Sequence, residues 1–312
     1  MNTKILKISS DVLRIKGPDA YNYLQGQFSQ DLNHPPGAVN YGLWLNEKGR
    51  VLAACHVLRI GTEEFLLVFA GPGEAAERQR LVMRNVIADE LECEDVGGYW
   101  GELALWGDGA EIICRAMAGQ VPVAGRFTES AGALVYGGGR VSTGANFRIL
   151  VPVAQVADWW QRGQSAGASP AGALDLQRER ILGGLAAVPE DIGPTDLPGE
   201  GGLADVAVSY TKGCYLGQEV MSRLKNVGQV RRRLHLVGGP GDPPAAQTPL
   251  YQAGRRIGEI RSAVATGEGF AALAMLTLLQ LDPATGAGLA PAGPADLRIV
   301  RPVISLGQTP SS

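Results

Sequence analysis

The sequence predicts an α+β protein in which two related α+β halves precede a smaller all-β domain. Short alternating strands and one short helix occupy the first 70 residues, and a similar order of strand, helix and strands returns over residues 99–151. After an irregular segment at residues 186–211, the remaining pattern is strands broken by glycine-rich turns. This last pattern is typical of a small β-barrel or sandwich.

The first half opens with a strand predicted over residues 4–16, which are rich in regularly spaced apolar residues. Gly17 and Pro18 end this strand, and because proline suits the first turn of a helix, a helix is predicted over residues 19–25. Three strands are expected next, at residues 39–45, 50–60 and 64–69. The spacing of apolar residues then predicts a helix over residues 74–91.

The rest of the chain is divided by the same criteria. In the second half we expect strands at residues 102–106, 133–136 and 146–151 and helices at residues 109–118, 153–163 and 174–185. In the C-terminal part we expect strands at residues 229–237, 249–261 and 270–281.

Composition and charge are those of a globular chain, apart from an excess of glycine over the usual share of about 7%. Glycine supplies 43 of the 312 residues and proline 19, which together stay below the roughly 25–30% typical of low-complexity disorder. The formal net charge of −3 gives no reason to expect direct nucleic-acid binding. The N-terminus lacks the apolar stretch of a signal peptide, and no apolar run of about 18 residues occurs. We therefore expect a cytoplasmic protein without membrane contact.

The four cysteines, Cys55, Cys93, Cys114 and Cys214, form no CxxC pair. We therefore expect reduced thiols, and no metal ion or iron–sulfur cluster ligated by this chain alone. The sequence contains no P-loop, no GxSxG motif and no close pair of histidines. P-loop nucleotide chemistry, serine hydrolysis of that type and histidine-ligated metal catalysis are thus disfavoured.

The densest candidate site is the segment Lys-Gly-Cys-Tyr-Leu-Gly-Gln-Glu at residues 212–219. Its thiol belongs to Cys214, and Lys212 or Arg223 nearby would favour the reactive thiolate. A tight turn around a buried structural cysteine is the alternative, but so many polar groups within eight residues favour a functional site. The residues expected to support the thiol are Gly213, Tyr215, Gly217, Gln218, Glu219 and Arg223.

Two weaker candidates lie elsewhere. One is an N-terminal block, residues 17–31, which by itself is better explained as a helix start and end with solvated side chains. The other is the basic stretch from Arg223 to Arg233. A solvated strand edge explains this stretch better than nucleic-acid binding, although it would also suit the anionic tail of a ligand.

These segments resemble a known family. Residues 212–219 with Arg223 closely resemble the signature of the YgfZ-type folate-binding proteins, which are relatives of the glycine-cleavage T-protein, an aminomethyltransferase. The further similar blocks are residues 17–31 and 46–50 at the start, 180–184 and 197–200 in the middle, and 254–274 at the end. The resemblance covers nearly the whole chain, and residues 212–219 are its most specific part.

The resemblance implies a T-protein-like three-lobed arrangement around a central channel. Residues 1–228 would form the folate-binding region, and the lobes would be residues 1–95 with 186–228, residues 96–185, and a C-terminal β-barrel at 229–306 followed by a flexible tail at 307–312. Tetrahydrofolate or a one-carbon derivative would bind in the channel, which Cys214 would face. The side chains implied to contact the folate are Tyr23, Gln25, Gln27, Asp31 and Glu200.

The resemblance also implies a cellular role. The family supports the assembly or repair of iron–sulfur enzymes, including one that modifies tRNA, without ligating a cluster itself. The sequence departs from the T-protein, however: Leu182 and Ala186 replace a pterin-contacting glutamate and a proline, and Tyr99 falls at the place of the catalytic aspartate. General acid–base help for aminomethyl transfer is therefore missing, which argues against a true aminomethyltransferase.

Three functional hypotheses follow. The leading one is a tetrahydrofolate-binding accessory protein for iron–sulfur enzymes, in which Cys214 is the reactive group and Lys212 favours its thiolate. Whether the thiol attacks a one-carbon unit, exchanges disulfides or passes on sulfur stays open. The second is a folate-dependent one-carbon transferase, which would turn over a folate with a carrier protein or tRNA as acceptor. The third is a non-catalytic folate-binding scaffold, in which Cys214 is structural and alkylates slowly.

Overall fold

The computed structural model describes residues 2–71, 73–138, 144–228, 230–279 and 281–303. The predicted tail at residues 307–312, and residues 304–306 of the predicted C-terminal domain, lie outside the described residues. The chain divides into two compact units. Unit 1 contains Met1–Trp44, Ala53–Gly172 and Thr211–Leu216, and unit 2 contains Leu45–Leu52, Ala173–Tyr210 and Gly217–Ser312. The domain boundaries expected from the sequence stay a prediction.

The described residues form strands and short helices in alternation. The strands are β1 (Thr3–Ile8), β2 (Ser10–Lys16), β3 (Val39–Leu45), β4 (Val51–Arg59), β5 (Glu64–Ala70), β6 (Glu92–Asp95), β7 (Trp100–Gly107), β8 (Phe127–Ser130), β9 (Ala133–Gly137), β10 (Asn146–Pro152), β11 (Ser169–Pro170), β12 (Arg232–Gly239), β13 (Pro249–Gln252), β14 (Arg255–Thr266), β15 (Gly269–Thr277) and β16 (Arg298–Pro302). The α-helices are α1 (Ala20–Gln27), α2 (Ala75–Met83), α3 (Ala110–Ala118), α4 (Val156–Ser165), α5 (Ala173–Gly183), α6 (Ala204–Ala207) and α7 (Gln218–Val227). Two 3₁₀ turns span Val153–Gln155 and Pro198–Gly201.

Unit 1 is built on two sheets. Their strand orders are β11-β1-β7-β10-β9-β8 and β3-β4-β5-β2-β6, with the hairpin turn between β3 and β4 assigned to unit 2. The single strand predicted over residues 4–16 is wrong, because β1 pairs with β7 in the first sheet and β2 pairs with β5 in the second. The polar pair Ser9 and Ser10 separates the two apolar stretches, and the chain changes sheet there.

The two sheets of unit 1 pack face to face. Their shared core consists of Val12, Leu58, Leu66 and Val68 from one sheet and Leu134, Tyr136 and Leu150 from the other. The opposite face of the first sheet is covered by α3 and α4, whose Ile113, Met117 and Trp159 join a second cluster. Removing such side chains from water, at about 1.5–3 kcal/mol each, drives the layers together.

A buried ion pair lies in unit 1. The guanidinium of Arg148 donates to both carboxylate oxygens of Glu102, at 2.6 and 2.8 Å, and Tyr136 and Ser10 also donate to this carboxylate. Burial alone would raise the pKa of Glu102, but Arg148 holds it below the usual value. Because a buried charge needs a partner, this cluster has a structural explanation.

Unit 2 contains a five-stranded antiparallel sheet in the order β13-β14-β15-β12-β16. Apolar side chains on β12, β14 and β15, among them Val237, Ile260 and Leu276, form its core. Isolated bridges join Tyr251 to Gly288 and Ala287 to Leu297. Closure of this sheet into a barrel, and the three-lobed arrangement around a channel, stay predictions.

Most predicted elements are present, and the exceptions have local causes. The helix predicted over residues 74–91 stops at Met83, and the following segment is held by side-chain bonds instead, such as Asn85 to Gln27 at 2.7 Å and the Glu90 N–H to Asp19 at 2.8 Å. The strand predicted over residues 249–261 is broken at Ala253 and Gly254, both of which have positive φ. In the part of the chain that the structure describes, no helix has the length and apolar character of a membrane span.

Candidate functional site

The segment at residues 212–219 crosses from one compact unit to the other. Its first five residues belong to unit 1, and the remainder, beginning with Gly217, opens helix α7 in unit 2. All four cysteines lie among the described residues, and of these Cys214 alone is exposed. Burial raises the pKa of each of the other three thiols, Cys55, Cys93 and Cys114, to about 12. Cys214 is therefore the most accessible of the four thiols.

Lys212 is buried in a set of oxygen acceptors from the N-terminal block. Its Nζ donates to the carbonyl oxygens of Phe28 at 2.7 Å and Gln30 at 3.0 Å, and lies 3.4 Å from Gln25 Oε1. Burial lowers the pKa of Lys212 to about 8, although the carboxylate of Asp31 opposes the shift. The backbone N–H of Leu216 also donates to the carbonyl of Gly26 at 3.1 Å. The N-terminal block at residues 17–31 and the first five residues of the candidate segment 212–219 are thus joined in unit 1.

Tyr215 and Gly213 complete the part of the segment in unit 1. Tyr215 is buried, and the Lys212 ammonium lies 5.1 Å from the centroid of its ring. A Cβ built on Gly213 would meet no atom within 4 Å. Apart from its chain neighbours, residue 213 borders open space, so packing does not require a glycine there.

Gly217 is required by the packing of unit 2. Its φ is +86°, and a Cβ built on it would lie 2.7 Å from the backbone oxygen of Asn46. Gly49, with φ +69°, is in turn close to Met221 on α7. The turn at residues 46–50 and the start of α7 are thus in close contact, which explains why two segments far apart in sequence both carry glycine.

The charged residues after Gly217 face solvent. Glu219 and Arg223 form an ion pair of 2.9 Å one helical turn apart, and both side chains are largely exposed. Gln218 is partly buried at the first position of α7. An exposed pair of this kind contributes little to stability, so Glu219 and Arg223 are held only loosely to each other.

The predicted folate-binding residues of α1 differ in how much hydrogen-bonding capacity they have left. Tyr23 is buried and donates to the Val82 carbonyl at 2.6 Å, and burial raises its pKa to about 12. Gln25 donates to Asp31 Oδ1 at 2.7 Å and accepts from the Leu32 N–H at 2.9 Å. The polar groups of these two side chains are therefore engaged in hydrogen bonds within the protein.

Gln27 and Asp31 retain capacity for a ligand. The Oε1 of Gln27 accepts from Asn85, and no described residue bonds its Nε2. The Oδ1 of Asp31 accepts from Gln25 and from the Asn33 N–H at 3.0 Å, and among the described residues Oδ2 receives no hydrogen bond. Burial alone would raise the pKa of Asp31, but these hydrogen bonds lower it. A pterin ring presents both donors and acceptors, so an ionised carboxylate and an amide NH₂ are groups that could each bind it.

Glu200 lies in unit 2, inside a cluster of arginines. Arg232 contacts both of its oxygens at 3.1 Å, and the Leu197 N–H donates to it at 2.7 Å. The fully buried Asp196 accepts from Arg232 and from Arg261, each at 3.1 Å. Glu200 is therefore an anchor of this cluster.

The sequence analysis singled out neither Asp196 nor Arg261, and it placed Arg232 only within the basic stretch from Arg223 to Arg233. The expectation that the basic stretch is a solvated edge is wrong for Arg232, which pairs with buried carboxylates. The signal that could have found it is the alternation of side chains along a strand, since Arg232 must point away from both its neighbours. Among the described residues, no group of three or more His, Cys, Asp and Glu side chains is placed to hold a metal ion.

Residues 9–134 match the model of the GCVT N-terminal domain. The structure superimposes on the glycine cleavage system aminomethyltransferase T of Bartonella henselae with a TM-score of 0.78 and 19% identity, covering 92% of this chain and 81% of that one. The fold is T-protein-like α+β. The α+β class and the T-protein likeness expected from the sequence are therefore confirmed.

Two curated relatives extend this result. The chain is 29% identical over 297 residues to the mitochondrial iron–sulfur cluster assembly factor IBA57 of Homo sapiens, covering 85% of this chain and 74% of the relative. It is 26% identical over 263 residues to an aminomethyltransferase of Moorella thermoacetica, covering 80% of this chain and 71% of the relative. The T-protein-like fold thus has relatives of two different named functions. Of the three departures from the T-protein sequence, Leu182 and Tyr99 are exposed and Ala186 is buried.

Proposed function

We propose that this T-protein-like protein binds tetrahydrofolate and supports the assembly or repair of iron–sulfur enzymes, including tRNA-modifying ones, as YgfZ-type proteins do. The observation that carries the proposal is the exposed thiol of Cys214 on the segment that meets the N-terminal block. The similarity to an iron–sulfur cluster assembly factor supports the cellular role. The missing T-protein carboxylates, replaced by Leu182 and Tyr99, favour this role over aminomethyl transfer.

Tetrahydrofolate would be held on the N-terminal block through Asp31 and Gln27, since these side chains have unused acceptor and donor groups. Bound folate would supply a reduced pterin that carries a one-carbon unit. Tyr23 and Gln25 would shape the block through their internal hydrogen bonds rather than by contact. Lys212 would hold residues 212–216 against this block through its hydrogen bonds to the Phe28 and Gln30 carbonyls.

Calorimetric titration tests the folate part of the proposal. Under reducing conditions the wild type should bind tetrahydrofolate, and Asp31→Asn should weaken binding about tenfold because a charged acceptor is lost. Asn33→Ala, on the neighbouring loop, is the control and should bind like the wild type. Absence of binding to the wild type would refute folate binding, and equal affinity of Asp31→Asn would refute this site.

The thiol is tested separately. Cys214→Ser should abolish restoration of iron–sulfur enzyme activity in cells that lack the protein, while the purified variant unfolds at the wild-type temperature. Cys93→Ser, which alters a partly buried thiol, should restore the activity. In iodoacetamide at pH 8, Cys214 should be alkylated before the three cysteines with raised pKa values. Full complementation by Cys214→Ser would contradict the role given to this residue.

A folate-dependent one-carbon transferase is the second candidate, favoured by the similarity to the Moorella thermoacetica aminomethyltransferase. It requires catalytic turnover of methylene- or formyl-tetrahydrofolate with a carrier protein or tRNA as acceptor. Folate turnover that exceeds one equivalent per chain and is lost in Asp31→Asn would establish it in place of the accessory role. Binding without turnover supports the accessory role.

A further inference from the structure

Unit 2 contains a pocket of about 380 Å³ that the proposed function leaves unused. Its apolar lining comes from Ala204, Val208, Met221, Leu224 and Val230. The volume lies in the range of small-molecule sites, which are concave, mostly apolar and supplied with a few polar groups. None of the residues proposed to bind folate lines this pocket, so the inference goes beyond the proposed function.

The polar groups of the pocket are a cation, a phenol and a carboxylate. The ammonium of Lys225, on α7, lies 4.1 Å from the centroid of the Tyr210 ring. No ion pair or hydrogen bond to Lys225 is formed by the described residues, whereas Arg223 on the same helix is paired with Glu219. A cation held against an aromatic face without a carboxylate has full capacity to bind an anion.

The other two polar groups of the pocket, Asp205 and Tyr210, indicate whether the ligand is an anion or a cation. Asp205 already interacts with other residues of the protein, so it does not call for a cationic ligand. Burial, and then the negative charge of Asp205, raise the pKa of Tyr210, so its phenol stays protonated and can donate a hydrogen bond. Lys225 and Tyr210 therefore both offer donors, which suits a carboxylate.

We propose that this pocket binds a small aromatic carboxylate, with its ring among Val208, Leu224 and Val230 and its carboxylate at Lys225 and Tyr210. The basic stretch beginning at Arg223, which the sequence marks as suited to an anionic ligand, contributes Lys225 to this site. The space for the ring depends on Gly199. A Cβ there would lie 3.4 Å from Val230 Cγ1 and 4.0 Å from Ala204 Cβ, so a larger side chain would fill the pocket.

The test uses 2-naphthoate as the probe, with naphthalene-2-methylammonium as the matched cation, and calorimetry on the full chain. The wild type should bind naphthoate and should not bind the cation. Gly199→Leu should abolish naphthoate binding, and Lys225→Gln should weaken it about tenfold, since the ion pair is lost. Asp205→Asn should bind at least as tightly as the wild type because a negative charge is removed.

Two controls keep the proposal separate from variant misfolding and from the folate proposal. Lys48→Gln removes an exposed lysine elsewhere in unit 2 and should bind naphthoate like the wild type. Each variant should keep the wild-type unfolding temperature, with Gly199→Ala as the milder pocket variant if Gly199→Leu does not fold. Naphthoate should bind unchanged when tetrahydrofolate is saturating. The proposal would be overturned if the wild type bound naphthalene-2-methylammonium more tightly than naphthoate, or if Gly199→Leu bound naphthoate as tightly as the wild type. Competition between tetrahydrofolate and naphthoate would also overturn it.

Discussion

The two parts of the segment at residues 212–219 reach their conformation by opposite means. In unit 1 the segment is held by a polar side chain, because the buried Lys212 donates hydrogen bonds to backbone carbonyls. Gly213 there borders open space. In unit 2 the close packing depends on a glycine, since Gly217 lies against the Asn46 backbone. The charged side chains of Glu219 and Arg223 project into solvent. Residue type is therefore a poor guide to role here, because burial decides which polar group is structural.

The largest expected effect tests the unit 2 part. Gly217→Ala should lower the free energy of unfolding by about 3 kcal/mol, because alanine is strained at positive φ and its Cβ would press on the Asn46 backbone. Gly213→Ala is the matched control and should change it by less than about 0.5 kcal/mol. Urea unfolding followed by circular dichroism measures both. Equal stabilities of the two variants would remove the contrast between the glycines.

The second prediction concerns the buried lysine. Lys212→Met should lower the free energy of unfolding at pH 7 by about 2 kcal/mol, since the carbonyls of Phe28 and Gln30 lose their donor. The same exchange at the exposed Lys225 should cost less than about 0.5 kcal/mol. Urea titration of the two variants beside the wild type makes the comparison. An effect of Lys225→Met as large as that of Lys212→Met would contradict the assignment.

The third prediction concerns how the stability difference between the wild type and Lys212→Met changes with pH. The pKa of Lys212 falls on folding from its usual 10.5 to about 8, so between these values the unfolded chain binds more protons. The cost of burying the cation is fully present below pH 8 and disappears as the pH rises through 10.5. The destabilisation by Lys212→Met should therefore grow between pH 7 and pH 10, by up to about 3 kcal/mol. Urea unfolding of both proteins across this range measures it, and a constant difference would show that the lysine keeps its usual pKa.

The smallest effect concerns the solvent-exposed pair. A double-mutant cycle with Glu219→Gln and Arg223→Gln should give a coupling energy of about 0.3–0.5 kcal/mol, which salt should abolish. The reason is that both side chains are exposed and strongly hydrated. A coupling above about 1.5 kcal/mol would mean that these residues are structural after all.

Much of the fold was predictable because it depends on local patterns. Strands β3, β4, β5 and β7 and helix α3 were expected within about two residues, since alternation and helical spacing report directly on buried faces. The break between β1 and β2 was not predicted, because both halves of residues 3–16 have strand patterns. Only the pairing of β1 with β7 and of β2 with β5 places them in different sheets. Helix α7 was not predicted; it begins directly after Gly217, and its exposed face is charged.

The candidate site also has features that the sequence predicts and features that only the tertiary structure shows. The sequence determined that a thiol, a lysine and two glycines lie together at residues 212–217, and the resemblance they carry pointed to the T-protein-like fold that the comparisons confirm. Only the tertiary structure decided that Lys212 bonds the N-terminal block, that Arg232 pairs with Glu200, and that the Lys225 ammonium lies over the Tyr210 ring. The physical reason is that sequence specifies which groups can ionise or donate, whereas burial and partners at long separation decide which of them remain available to a ligand.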